Sequence, residues 1–116
     1  MGRVFGGIEP TMNFFSTITL LTAEAERLAH LAPSATWFLF GSALNTDAAP
    51  NDLDVLIVYR NDQHAVSIHQ HINLASVLPP IHLLLMRQEE ENELKFRDVQ
   101  NCVEFFPNNL ANPKGP

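Results

Sequence analysis

Two short apolar runs lie close together in this chain, and their separation limits what it can fold into. Ala35 to Phe40 is apolar and aromatic, and Leu53 to Tyr59 is apolar and β-branched; both read as buried strands. Between them, Asn45 to Asn51 carries Asn, Thr, Asp and Pro50, which reads as a turn or loop. That leaves no room for a crossover helix of ordinary length. The two strands are therefore expected to be antiparallel neighbours.

The flanks switch to helical spacing. From Thr11 onward, Phe14, Ile18, Leu21, Ala25 and Leu28 form one stripe, which Pro33 stops. Ala65, Ile68, Ile72 and Ala75 form another within Gln63 to Ser76, which Pro79-Pro80 breaks. Ile81 to Met86 reads as a third strand. A helix is expected from Gln88 to about Gln100, opening on Glu89, Glu90 and Glu91, acids that suit the positive end of a helix dipole. Val103 to Phe105 could add a short last strand. The order predicts a small α/β (α+β) domain: a mixed sheet of three to four strands flanked by helices. No glycine-rich phosphate fingerprint of the Rossmann or P-loop kind is present. Residues 1–10 read as a flexible leader, 11–106 as the domain, and 107–116, rich in Pro and Asn, as a disordered tail.

With 46% of its 116 residues hydrophobic, the chain can build a core without a disulfide or metal staple. Thirteen acidic residues against seven basic ones give a net charge of −6. That balance argues against an extended nucleic-acid surface, so any nucleotide would have to be held by backbone amides or a bridging metal ion. Cys102 stands alone and cannot form an internal disulfide, which favours a reducing compartment. No apolar signal region follows Arg3 and no stretch is long enough to span a bilayer, so a cytoplasmic chain without a membrane partner is expected.

The segment that carries chemistry runs from Phe40 to Val55. Asp52 and Asp54 stand two residues apart at the mouth of a strand, so alternation predicts that both carboxylates share a face. Two like charges so close repel, and a hard divalent cation such as Mg²⁺ removes the objection. Upstream, Gly41 lets the backbone approach a ligand without a Cβ in the way. Ser42 offers an N–H and a hydroxyl to a phosphate if it opens a short helix.

A strand ending in Gly41-Ser42, a nine-residue spacer from Ala43 to Asn51, and then Asp52-Leu53-Asp54-Val55 resembles the nucleotidyltransferase superfamily of DNA polymerase beta, in its minimal single-domain form. The resemblance extends from about Thr11 to Val99. It implies the nucleotidyltransferase fold, with Gly41 and Ser42 binding the triphosphate and Asp52 and Asp54 binding Mg²⁺. It also implies an enzyme that transfers a nucleoside monophosphate from an NTP, ATP included, to a hydroxyl of a protein, an RNA end or a small molecule. The family usually has a third carboxylate on a later strand; here the matching strand offers His82, an imidazole that suits proton transfer better than Mg²⁺. A basic residue often follows Gly-Ser in the family, where this chain has Ala43. Both departures point to weakened transfer.

The alternative is a catalytically weak binding module, such as the antitoxin-like partner of a helical RNase toxin. In either case the chain lacks an acceptor-binding domain of its own and is expected to associate, with itself or with a second protein. His64, His69 and His71 read as a solvated helix face rather than a metal site. Lys95 and Arg97 read as exposed unless the last helix packs over the cleft.

Overall fold

The computed structural model describes residues 8–41, 53–75, 77 and 80–107, with side chains of the first helix described from residue 16. Helix α1 spans Ile8–Leu28 and leads into strand β1, Thr36–Phe40. Strand β2, Leu53–Tyr59, pairs with β1 in antiparallel fashion from Thr36↔Val58 to Phe40↔Asp54. Helix α2, Asp62–His71, carries the chain to β3, Ile81–Arg87, which lies parallel to β2. Two short helices follow, α3 (Gln88–Leu94) and α4 (Phe96–Val99), and then β4, Val103–Phe106. The four strands form one mixed sheet in the order β3-β2-β1-β4. The expected α/β (α+β) class, a small mixed sheet flanked by helices, is the one observed, with four strands and helices on both faces among the described residues.

Each face of the sheet has its own layer. Trp37, Leu39, Leu53, Val55, Ile57 and Phe105 point to one side, where they pack with Ile18, Leu21, Ala25 and Leu28 of α1 and Ile68 of α2. Trp37 meets the edge of Phe105 with ring centroids 6.2 Å apart, an arrangement worth about 1 kcal/mol beyond the area it buries. The other face is smaller: Phe38, Leu56, Val58 and Met86, with Phe40, Phe96 and Cys102 against them. β2 is apolar on both faces because it is covered on both, as inner strands of mixed sheets are.

Several boundaries differ from the sequence reading, each for a local reason. α1 begins at Ile8, inside the segment read as leader. Pro10 does not prevent this, since a proline in the first turn removes only an N–H that has no helical partner there. α2 ends at His71 because Ile72 turns to extended backbone, with ψ 137°. Ala75 is consequently exposed rather than part of a buried stripe.

The expected single helix after β3 is broken at Lys95, whose φ is +53°. Glu91 braces the break. It is only 3% exposed, and its Oε2 accepts the backbone N–H of Arg97 at 3.0 Å and faces Arg97 Nε at 3.0 Å. The first-turn acid thus turns inward and supports the start of α4 instead of facing water. Arg97 lies over the Phe38 ring, 5.5 Å from its centroid, so it is engaged in packing rather than free to meet a phosphate. Burial, and then the nearby Glu91 charge, push the Cys102 thiol up to about 11, which keeps it protonated and unreactive near neutral pH.

A second polar tie joins the helices. Arg27 Nη2 donates to Glu24 Oε2 at 2.6 Å and to the His71 carbonyl at 2.6 Å, while Glu24 Oε2 accepts the Asn73 N–H at 2.7 Å. The Arg27 hydrogen bond is the main reason the Glu24 carboxyl sits below its ordinary pKa. A lowered folded pKa contributes stability above the unfolded value, near 4.3, and loses it as pH falls through the folded value. The pair is partly solvated, so its contribution is of order 1 kcal/mol or less. Glu24→Gln should therefore lower urea-unfolding stability by up to about 1 kcal/mol near neutral pH. The difference from the parent should close at acid pH; a gap independent of pH would contradict the assignment.

Candidate functional site

One end of the sheet gathers the described members of the chemical segment. Phe40 is the last residue of β1, Asp54 the second of β2 and His82 the second of β3, and the register sets Phe40, Asp54 and His82 in one row across three strands. Alternation then gives the rows beneath: Phe38, Leu56 and Leu84, followed by Thr36, Val58 and Met86. The Leu53 N–H bonds to the Pro80 carbonyl at 3.0 Å, which fixes where β2 and β3 start relative to each other. Phe96 of α4 packs on this face against the Phe38, Leu56, Val58 and Met86 cluster and reaches Phe40, while Asp54 and His82 stay accessible. The Asp54 side chain is 27% exposed and that of His82 is 66% exposed.

Within this row, His82 Nδ1 lies 3.3 Å from Asp54 Oδ1. A neutral ring with its proton on Nδ1 donates a hydrogen bond here, and a protonated ring adds an ion pair. Asp54 therefore helps orient the imidazole. His82 is not a core residue: its side chain faces largely into water.

Gly41 stands behind the pair at φ +88°, a backbone conformation that an L side chain rarely adopts. A Cβ built there would collide with the Asp54 carboxylate. The space a Cβ would fill at Gly41 is thus occupied by the Asp54 carboxylate. The glycine does serve the site, but by seating the carboxylate, a function that spacing alone did not reveal.

Ser42 and Asp52 lie outside the described residues. Among the described residues no group of three or more His, Cys, Asp or Glu side chains could hold a metal ion. The donor chemistry fits a hard divalent cation at Asp54, a part-exposed carboxylate with Gly41 behind it, whereas the imidazole of His82 is a poor oxygen substitute. Glu104, half-buried on β4, shares the Asp54 face but stands opposite Phe38 on the far side of β1. That places it two strand spacings from β2, about 10 Å, and it does not join the pair.

The neighbouring histidines do not form a second site. His69 and His71 are exposed, and His71 Nδ1 lies 3.0 Å from the Ser67 carbonyl of its own helix. His64 departs from the expected solvated face: it is half-buried, with Nδ1 enclosed and without a hydrogen-bond partner. Among the described residues no helix is long and apolar enough to cross a membrane.

Gly41→Ala tests the seating of Asp54. The added methyl group must displace the carboxylate and hold a left-handed backbone, so the variant should lose about 1–3 kcal/mol in urea unfolding. Asp54→Ala in the same background should recover part of that loss; additive losses would show that the two residues are not in contact. No protein-family model, curated protein or solved structure matches the chain.

Proposed function

We propose that this is a nucleotidyltransferase-like protein that binds a nucleoside triphosphate with Mg²⁺ at the Gly41–Asp54–His82 end of its sheet. One observation carries the reading: Asp54 is a part-exposed carboxylate at the end of an inner strand, seated against a glycine where a Cβ would collide with it, with an imidazole beside it. The 3.3 Å contact with His82 engages only Oδ1 of this carboxylate, and a part-exposed carboxylate can take a further electropositive partner. A hard cation carrying phosphates supplies one.

In this reading Asp52 and Asp54 would hold the metal, and Gly41 and Ser42 would hold the triphosphate through backbone amides and the hydroxyl. The bound metal ion would neutralise charge on the transferring phosphate. His82, oriented by Asp54, would take the proton of the acceptor hydroxyl as it attacks the α-phosphate, with pyrophosphate leaving. The acceptor would be a protein, an RNA end or a small hydroxyl compound. The second reading, a catalytically weak binding module, draws on the same row: a histidine stands where the resemblance expects a third carboxylate. That substitution removes one metal ligand and one negative charge, which affects transfer more than nucleotide binding.

ATP with Mg²⁺ should raise the melting temperature, since ligand at one hundred times its Kd adds about 2.7 kcal/mol of stability. Asp54→Asn should abolish the shift, His82→Ala should keep most of it and His82→Asp should enlarge it. No shift with any NTP in the parent, or an undiminished shift in Asp54→Asn, would overturn the proposal. Incubation with labelled NTP, Mg²⁺ and a cell lysate separates the two readings, because only an active enzyme leaves label on an acceptor.

A further inference from the structure

The outer edge of β3 is built differently from a protected sheet edge. β3 pairs with β2 without interruption from Leu53↔Ile81 to Tyr59↔Arg87, and no described strand lies on its other side. Sheet edges are ordinarily blunted by shortness, proline, inward charges, lysine or a bulge. β3 has seven residues, Ile81-His82-Leu83-Leu84-Leu85-Met86-Arg87, with no proline, lysine or bulge, and with its only formal charge at the end. Leu84, at its centre, is 37% exposed, and Leu83 and Leu85 on the opposite face are only half-buried.

We infer that two copies of this chain pair through β3, antiparallel and centred on Leu84, to form a two-fold dimer with one continuous eight-stranded sheet. The strand is complementary to itself in this register. Leu83 faces Leu85 of the second copy on the face of α1 and α2, Leu84 faces Leu84 on the other, and His82 faces Met86 of the second copy. Arg87 faces Ile81, so the two arginines lie at opposite ends of the seam, about 20 Å apart. This is the only two-fold register that pairs all seven residues. Pairing with the other sheet edge is less suited: β4 has four residues and is followed by Pro107, which has no N–H to donate. A β3-to-β4 contact would also be head-to-tail, so it could not form a closed two-fold dimer. The two-fold axis stands perpendicular to the sheet, so both Asp54–His82 rows lie on the same side of the assembly and stay open. The inference is independent of nucleotide chemistry.

A residue on a two-fold axis meets itself, which gives a register-specific test. Leu84→Lys and Leu84→Asp each place like charges directly opposite one another, which destabilises a cross-strand pair. Sedimentation equilibrium at micromolar concentration should find the parent dimeric, each variant monomeric with an unchanged circular dichroism spectrum, and an equimolar mixture of the two dimeric again. As a measurement that needs no variant, amide exchange of Leu83 to Leu85 in the parent should slow as protein concentration rises. A monomeric parent, a dimeric single variant, a mixture that stays monomeric, or exchange independent of concentration would each overturn the inference.

Discussion

The structure depends on β2 being held from both sides in opposite senses: antiparallel to β1 and parallel to β3. Once those pairings are set, the two-residue alternation of β2 decides what each layer receives. Leu53, Val55 and Ile57 go to the layer of α1 and α2, and Leu56 and Val58 go to the smaller layer under α4. Asp54 is the single position of the strand that breaks this apolar rule. Its place at the open end of the second face makes the exception tolerable, because water reaches it. The same pairings bring Phe40 and His82 level with it, so the described part of the candidate site is a direct product of strand register.

The parts of this arrangement legible in the sequence are those that rest on short-range periodicity. The closeness of Ala35–Phe40 and Leu53–Tyr59 implied an antiparallel pair, and the 3.6-residue stripe from Ile18 to Leu28 implied the helix that covers it. His82 and Asp54 could be set on one face because both occupy the second position of their strands and alternation is strict. What was not legible depends on contacts between residues distant in sequence. Gly41 reads as a ligand-approach glycine from its place after a strand. Only the antiparallel register, which brings Phe40 opposite Asp54, shows that the missing Cβ makes room for a carboxylate.

Glu91 illustrates the same limit from the other direction. Three consecutive glutamates at the start of a helix fit a solvated first turn, and Glu89 and Glu90 behave so, with Glu90 accepting the Arg87 N–H at 3.2 Å. Glu91 points inward because the chain breaks at Lys95 and folds α4 back over Phe38. The break leaves the Arg97 N–H in need of an acceptor, and Glu91 is the nearest carboxylate. Local propensity favours a continuous helix here. The apolar faces of Phe96, Phe38 and Phe40 override it, with Phe40 and Phe96 meeting edge to face at 5.1 Å. The result closes one half of the sheet face and leaves the Asp54 half open.

The imidazole beside Asp54 also changes what the fold requires of a ligand. A carboxylate in the place of His82 would stand next to Asp54 with like charge. At a separation of 4 Å that repulsion is about 1 kcal/mol in water and about 4 kcal/mol at the effective dielectric of a protein surface. Such a site is strained until a cation arrives, so metal affinity is raised at the expense of the empty fold. His82 reverses the sign of the contact: a hydrogen bond when neutral and an ion pair when protonated, both favourable without any ligand. The empty row is therefore already satisfied. A cation entering it must compete with His82 for the same carboxylate oxygen instead of relieving a repulsion. If the proposed function holds, this is the physical reason for nucleotide binding to exceed transfer at the site.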